Sequence, residues 1–295
     1  MPKGQPFTRI CQALVSSSWE SRADLHIHSS FSDGLFEVQE IAKLAKHLGL
    51  RAISITDHDT LAGHHGAFDS LGIEVISGVE ITCVYETRVC HLLGYLVDPF
   101  NQELEESLSE IRAYRRKRLA HMAGQLEGKG VLSPSWKSQL GPILEKESSS
   151  PGSRHLARIL VNQGKARTIP QAIWKYWKDL PANNEGWLTF LEAARLIRQA
   201  GGIVVLAHPR PEDDEDRIKD MISRGLQGIE TTYPGMKKPR RKELGEIACR
   251  LGLCETGGSD WHGDSNRGLG AETVPASRVE ILRRQTGRDS LCSAV

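Results

Sequence analysis

Along this chain, short apolar runs alternate with stretches of helical periodicity. Residues 23–28, Ala-Asp-Leu-His-Ile-His, alternate as a strand does and end in the polar turn 29–34. Residues 38–48 carry apolar side chains at helical spacing and close at Gly49, a natural C′ residue. Residues 51–56 form a β-branched strand running into Asp57-His58-Asp59-Thr60. A short helix to Leu71 and a third strand over 74–79 follow, and 81–85 with 89–97 read as a hairpin around Glu86-Thr87-Arg88. Strands alternating with helices through short connections predict βα units and a parallel sheet or barrel.

The rhythm changes after Asp98-Pro99. Residues 104–128 read as a long charged helix, 148–152 as a polar linker, and 154–164 and 169–177 as short helices. The βα rhythm then returns, with helices over 188–200, 213–224 and 238–251 and strands over 202–207, 226–232 and 253–258. The expected organisation is a discontinuous barrel from 22–100 and 186–285, interrupted by a helical insertion over 101–185. The ends, 1–21 and 286–295, are expected to be weakly ordered. No internal repeat or low-complexity segment is present.

The 295 residues carry a net charge of +1, which argues against a polybasic binder. Residues 101–200, however, hold 16 Lys and Arg against 10 Asp and Glu. A basic middle suits an anionic substrate; a solvated helical surface would give the same count. No apolar run reaches the ~18–20 residues a membrane span needs, and residues 1–22 lack the apolar core of a secretion signal. Six cysteines (11, 83, 90, 249, 254, 292) show no disulfide framework and no CxxC spacing, as in a cytoplasmic protein. Cys83 and Cys90 are placed to face each other across the hairpin, which does not by itself make a metal site.

The candidate chemistry lies at the ends of strands. His26, His28, His58, Glu80, His208 and Asp260 all fall at or just past predicted strand C-termini, the edge where parallel βα folds gather ligands. His26 and His28, at i and i+2, project to one side and can reach one cation. Asp33 adds a carboxylate from a glycine-containing turn, and Asp260-Trp261-His262 repeats the i, i+2 spacing. Asp57 and Asp59 either orient the His58 ring or serve as turn and cap residues. Mixed imidazole and carboxylate donors suit Zn²⁺, Mn²⁺ or Fe ions, and argue against an all-oxygen Ca²⁺ site.

The blocks Leu25-His26-Ile27-His28-Ser29 through Asp33-Gly34, Ile55-Thr56-Asp57-His58-Asp59, Gly78-Val79-Glu80, Leu206-Ala207-His208-Pro209 and Gly258-Ser259-Asp260-Trp261-His262 resemble the PHP (polymerase and histidinol phosphatase) superfamily, over about residues 22–275. The resemblance implies an α/β fold, a distorted (β/α)7 barrel, with three divalent cations. It assigns His26, His28, Glu80 and Asp260 to one ion, and Glu80, His91 and His208 to a second. Asp33, His58 and His262 would hold the third. Asp33 stands where some members have histidine, which favours Mn²⁺ or Fe²⁺ there. His47, His64, His65 and His121 match no ligand position and are expected on the surface or in packing. Such ions offset charge repulsion at a phosphate and acidify a water to give the attacking hydroxide, with Glu80 and Asp260 as the supporting carboxylates. Cys90 beside His91 reads as a packed thiol rather than a nucleophile.

Within the superfamily, Arg154-His155-Leu156-Ala157-Arg158 and Gly228-Ile229-Glu230 with Tyr233-Pro234-Gly235 resemble a subgroup acting on nucleoside 3′,5′-bisphosphates and short 5′-phosphorylated RNA. Arg154 and His155 would then bind a second phosphate and Tyr233 a base; an exposed helix face and turn packing are the plain alternatives. Residues 181–187 depart from the pattern expected ahead of the Leu188 helix, which bears on substrate. Competing readings are a small-metabolite phosphatase of histidinol-phosphate type and a non-catalytic metal-binding regulatory module. Neither a membrane nor an obligate protein partner is indicated.

Overall fold

The computed structural model describes residues 21–66, 68, 71–177, 185–264 and 267–286. The expectation for the two chain ends therefore falls largely outside the described residues, as do Cys11, Cys292 and residues 181–184 of the departing segment. The elements in order are β1 (Arg22–Ile27), α1 (Val38–His47), β2 (Leu50–Ile55), β3 (Glu74–Tyr85), β4 (Arg88–Tyr95), α2 (Gln102–Gly128), α3 (Trp136–Glu145), α4 (Ser153–Asn162), α5 (Ile169–Trp177), β5 (Leu188–Thr189), α6 (Phe190–Gln199), β6 (Ile203–Leu206), α7 (Glu215–Ser223), β7 (Gly228–Thr232), α8 (Lys238–Leu251), β8 (Cys254–Gly257), β9 (Val274–Pro275) and α9 (Ser277–Gln285).

The strands run β8-β7-β6-β4-β3-β2-β1-β9 in one sheet. The ring closes where Ile27 bridges Trp261, just past β8, and His28 N donates to Trp261 O at 2.9 Å. Pairs β1/β2, β2/β3, β6/β7 and β7/β8 are parallel, whereas β4 is antiparallel to both β3 and β6. The distortion of the βα barrel is this one reversed strand, a consequence of the tight turn at Glu86. β5 adds to the far end of β3, and β9 adds antiparallel to β1. Tyr95 of β4 donates to Leu25 O of β1 at 2.9 Å. These strands are not neighbours in the sheet, so the contact crosses the barrel interior, where Leu25, Ala52, Ile76, Leu93 and Val205 pack.

Several elements differ from the sequence reading: besides the three that follow, β5 takes the first two residues of the helix expected over 188–200, and β9 and α9 lie beyond the last expected strand. β3 is one continuous strand rather than two, because its first half pairs with β2 and its second with β4. Glu80 therefore lies in the middle of a strand, not at its end, level with the His58 that follows β2. Of the short helix expected before Leu71, the described residues form a 3₁₀ turn, Ala62–His64. α3 went unread because Gly141-Pro142 looks like a break; the proline is accommodated inside the helix.

α2 crosses between two cores. Leu104, Leu108 and Ile111 at its start pack with barrel strands and α6, and Leu119, Met122 and Leu126 further on pack with Trp136, Leu156, Leu160 and Ile169 of α3–α5. The helical segment thus has an apolar cluster of its own and is carried over the barrel mouth on one continuous helix.

Candidate metal centre

Several local features aim side chains into the barrel mouth. β1 delivers His26 and ends just before His28, both fully buried. Gly258 makes this possible: a Cβ there would lie 2.3 Å from His26 N, so only glycine lets the loop after β8 press against β1. Asp24 fastens the same loop, accepting from Ser259 N at 2.8 Å, Ser259 Oγ at 2.5 Å and Gly270 N at 2.9 Å. Burial nonetheless pushes its carboxyl up to about 6. His208 and Asp260 leave their strands with positive φ of 31° and 46°, and Asp59 with 47°. Non-glycine residues in this region carry strain of order ~1–3 kcal/mol and concentrate at functional sites.

Glu80 is the hub. Its Oε1 lies 2.8 Å from His91 Nδ1 and 3.0 Å from His208 Nε2. Its Oε2 lies 3.0 Å from His58 Nδ1, 3.2 Å from His28 Nε2 and 3.5 Å from His26 Nε2. Asp260 Oδ1 approaches His28 Nε2 at 3.2 Å and His26 Nε2 at 3.5 Å. On the other side Asp33 meets His262 Nε2 at 3.2 Å and His58 Nε2 at 4.0 Å, and the His28 and His262 rings stack at 4.1 Å. Donor atoms converge in three overlapping groups: His26, His28 and Asp260; His58, Glu80 and His91; and His28, Asp33, His58 and His262. His28 and His58 each belong to two groups, so the partition is less sharp than the resemblance implies.

The arrangement fits divalent cations on its own evidence. His26 Nε2, His28 Nε2, Asp33 Oδ1 and His58 Nδ1 are buried and make no hydrogen bond with protein groups. Imidazoles and carboxylates packed this closely form the donor set of Zn²⁺, Mn²⁺ or Fe²⁺ sites. The charges are strongly interdependent. Burial opposes ionisation of Glu80, but His58, His91 and His26 outweigh it and hold its carboxyl well below the usual range. Burial likewise opposes protonation of His28, and Asp260, Glu80 and Asp33 together raise it to about 10. For His58 burial wins and its pKa falls.

Around this set stand residues that orient it. Glu230, fully buried, accepts from His26 Nδ1 at 3.1 Å and from His208 N at 2.7 Å, leaving Nε2 of His26 free to face Glu80 and Asp260. Glu230 belongs to the segment that resembles the nucleotide-acting subgroup, without a role in the sequence analysis; its position two residues short of the end of β7 is the available signal. Asp57 and Asp59 do not orient the His58 ring. Asp57 accepts from Ser29 N at 2.7 Å and from the Ser29 and Ser32 hydroxyls, pinning the loop that carries Asp33. Asp59 accepts from Thr82 N at 2.7 Å and from Arg115 Nε at 2.5 Å, locking α2 to the barrel. His64 is a packing residue, its Nε2 2.8 Å from Ile55 O, and His47 and His121 are exposed.

A cavity of about 380 Å³ opens above the cluster. The metal-binding candidates Asp33, His58, Glu80, His91, His208, Asp260 and His262 form its floor, and Arg115, Arg118, Leu119, Ile173 and Trp187 face them. Arg154 lines it too, paired with Asp264 Oδ1 at 2.5 Å. Arg115 and Arg118 lie 5.3 and 6.0 Å from the Trp187 ring centre, and Arg118 makes no ion pair among the described residues. Sequence reasoning missed Arg115, Arg118 and Trp187; a basic run on a charged helix does not show which side it buries. His155 does not face this cavity. Its Nδ1 accepts from Gly152 N at 3.2 Å and burial lowers its pKa to about 4. Tyr233 donates to Pro209 O at 2.6 Å and sits edge-on to His208, with ring centres 6.4 Å apart.

A closed βα barrel whose mouth gathers imidazoles and carboxylates defines the class of a metal-dependent hydrolase. The PHP domain model matches residues 24–174, and the chain belongs to the PHP domain family. It is 30% identical to a 5′-3′ exoribonuclease of Haemophilus influenzae, over 81% of this chain and 89% of the relative. It is 28% identical to a phosphoribosyl 1,2-cyclic phosphate 1,2-diphosphodiesterase of Eggerthella lenta (83% and 95%), and 30% identical to a 3′,5′-nucleoside bisphosphate phosphatase of Chromobacterium violaceum (90% and 96%). A crystal structure from Bifidobacterium adolescentis, described as a metal-dependent phosphoesterase, superposes with a TM-score of 0.79 at 30% identity, covering 89% of this chain and 96% of that one.

Proposed function

We propose that this metal-dependent phosphoesterase of the PHP family hydrolyses nucleoside 3′,5′-bisphosphates or short 5′-phosphorylated RNA. The observation that carries the reading is a donor cluster lying under a cavity whose opposite wall bears Arg115, Arg118 and Arg154. The guanidinium groups of Arg118 and Arg154 there supply planar phosphate contacts beyond the phosphate that reacts, while Arg115 stays paired with Asp59. A simple monophosphate does not require that second positive surface. Names of relatives acting on RNA and on nucleoside bisphosphates point the same way.

In this reading three divalent cations, Mn, Fe or Zn, are held by the chain. His26, His28, Glu80 and Asp260 hold one, Glu80, His91 and His208 a second, and Asp33, His58 and His262 the third. When bound, the ions supply Lewis acidity that neutralises phosphoryl charge and acidifies water. Glu80 offers its two oxygens to different halves of the cluster, and Asp260 closes the His26–His28 side. Both carboxylates are catalytic through that hold. Arg154 orients the substrate's second phosphate from the start of α4; Leu119, Ile173 and Trp187 exclude water on the opposite wall. The segment 101–185 acts as the substrate-covering insertion on the 22–100 and 186–285 barrel, and the reaction takes place in the cytoplasm.

The test is metal analysis of the purified protein with a substrate panel: adenosine 3′,5′-bisphosphate, 5′-phosphorylated RNA, phosphoribosyl 1,2-cyclic phosphate and histidinol phosphate. Hydrolysis, read as product formation on each compound and confined to either of the last two, overturns the nucleotide reading. Arg154→Ala is expected to lower kcat/KM on the bisphosphate by about 100-fold, on the order of 3 kcal/mol for a lost charge-assisted hydrogen bond. A generic aryl phosphate should be little affected; equal loss on both removes the argument for a second phosphate site.

A further inference from the structure

We infer that Asp264 is the positioning residue that fixes how far the second phosphate stands from the one that reacts, and so makes the site selective for substrates carrying two. This rests on the bisphosphate reading above and names the residue that enforces it. Arg154 lines the metal cavity, whereas Asp264 lies behind it in the wall of a neighbouring one. A phosphate over the donor cluster therefore meets the guanidinium and not the carboxylate.

The carboxylate is placed to hold two arginines at once. Its side chain is 7% exposed, and each oxygen serves a different partner. Oδ1 accepts from Arg154 Nη2 at 2.5 Å and Oδ2 from Arg158 Nε at 2.7 Å. Arg158 Nη2 also donates to Asp33 O, so Arg158 is fixed to the Asp33 turn as well as to Asp264. Two guanidinium groups against one carboxylate leave the group net cationic, and Arg154 commits one nitrogen to it. Arg154 Nε is buried with no hydrogen-bond partner in the protein. An arginine held this way keeps donors for a phosphate and has already lost the rotamer freedom that binding would otherwise cost.

Chain geometry ties the same carboxylate to the donor cluster. Asp264 stands two residues past His262, on the loop after β8 that also carries Asp260. Leu35 N donates to His262 O at 3.0 Å, fastening that loop to the Asp33 turn. From the other side the start of α4 closes on Asp33, where a Cβ at Gly152 would lie 2.6 Å from Asp33 Oδ2. Arg154 is thus anchored, through Asp264 and Arg158, to the two segments that carry Asp33, Asp260 and His262. The distance from cluster to guanidinium becomes a property of those segments rather than of a free side chain, and it discriminates by the spacing of two phosphates.

The experiment compares kcat/KM on adenosine 3′,5′-bisphosphate and on adenosine 3′-monophosphate, which differ only in the 5′ phosphate. Asp264→Ala is expected to lower the ratio of the two about tenfold, through KM for the bisphosphate, with kcat and monophosphate turnover within about twofold. Asp264→Asn keeps the size and one carbonyl oxygen and should lose about threefold; it carries the test if the alanine variant does not fold. In an Arg154→Ala background, Asp264→Ala should lower the ratio no further. An unchanged or raised ratio, equal loss on both nucleotides, or a loss that persists without Arg154 overturns the proposal while leaving the nucleotide reading intact. An unaltered chain that turns over neither nucleotide overturns that reading instead. The comparison then runs on phosphoribosyl 1,2-cyclic phosphate, which carries a second phosphate, against a generic aryl phosphate. A fall there that depends on Arg154 upholds the role of Asp264, and its absence overturns both.

Discussion

Glu230 illustrates how a residue outside the ligand set governs it. By accepting from His26 Nδ1 it fixes the tautomer and turns Nε2 toward Glu80 and Asp260. Glu230→Ala should therefore weaken cation affinity about 10–100-fold, read by titration against a competing chelator; unchanged affinity would mean His26 is oriented by packing alone. His155 makes a different prediction. Its folded pKa of about 4 lies below the ordinary 6.5 because burial penalises the charged ring. The unfolded chain takes up a proton below pH 6.5 that the folded chain refuses, so stability declines as pH falls from about 6.5 to about 4. The loss reaches at most about 3 kcal/mol and then levels off. Urea unfolding at several pH values, compared with His155→Gln, should show that part of the slope disappear in the variant.

Between elements, the decisive join is α2 to the barrel. Arg115 and Asp59 are both buried, and the pair is completed by Thr82. Removing one partner leaves a buried charge uncompensated, so Arg115→Ala should cost about 3–5 kcal/mol. Adding Asp59→Asn should recover part of that loss, a coupling measured by a double-mutant cycle. If the two substitutions simply add, the pair is not what locks the helix. This join was legible only in part. Sequence periodicity marked α2 as helical and basic, but the residue opposite Arg115 lies 56 positions earlier, in a loop whose acids could equally have served His58. The long β3 was hidden for a related reason: a strand that changes partner midway keeps its extended geometry while its residue pattern changes.

Taken whole, the molecule closes a ring of strands around its own charged groups, and cations should be part of its stability. Removing them with EDTA should abolish phosphoesterase activity and lower Tm by about 5–10 °C, with both restored by added Mn²⁺. That estimate follows from roughly 2.7 kcal/mol of stabilisation at a hundredfold excess over Kd, at about 2–4 °C per kcal/mol for a domain of this size. A Tm indifferent to chelation would mean that the cluster is held by its own ion pairs. The sequence by itself determined the donor types and their order, because imidazoles and acids at strand ends are written locally and a strand's twofold alternation fixes where their side chains go. It also determined the βα rhythm and the interruption after Asp98. Tertiary structure alone decided that Glu80 touches five histidines, that Glu230 aims His26, and that arginines of α2 and α4 meet over the cavity. Those contacts join residues far apart in the chain, and no local pattern encodes which distant side chain closes a barrel's mouth.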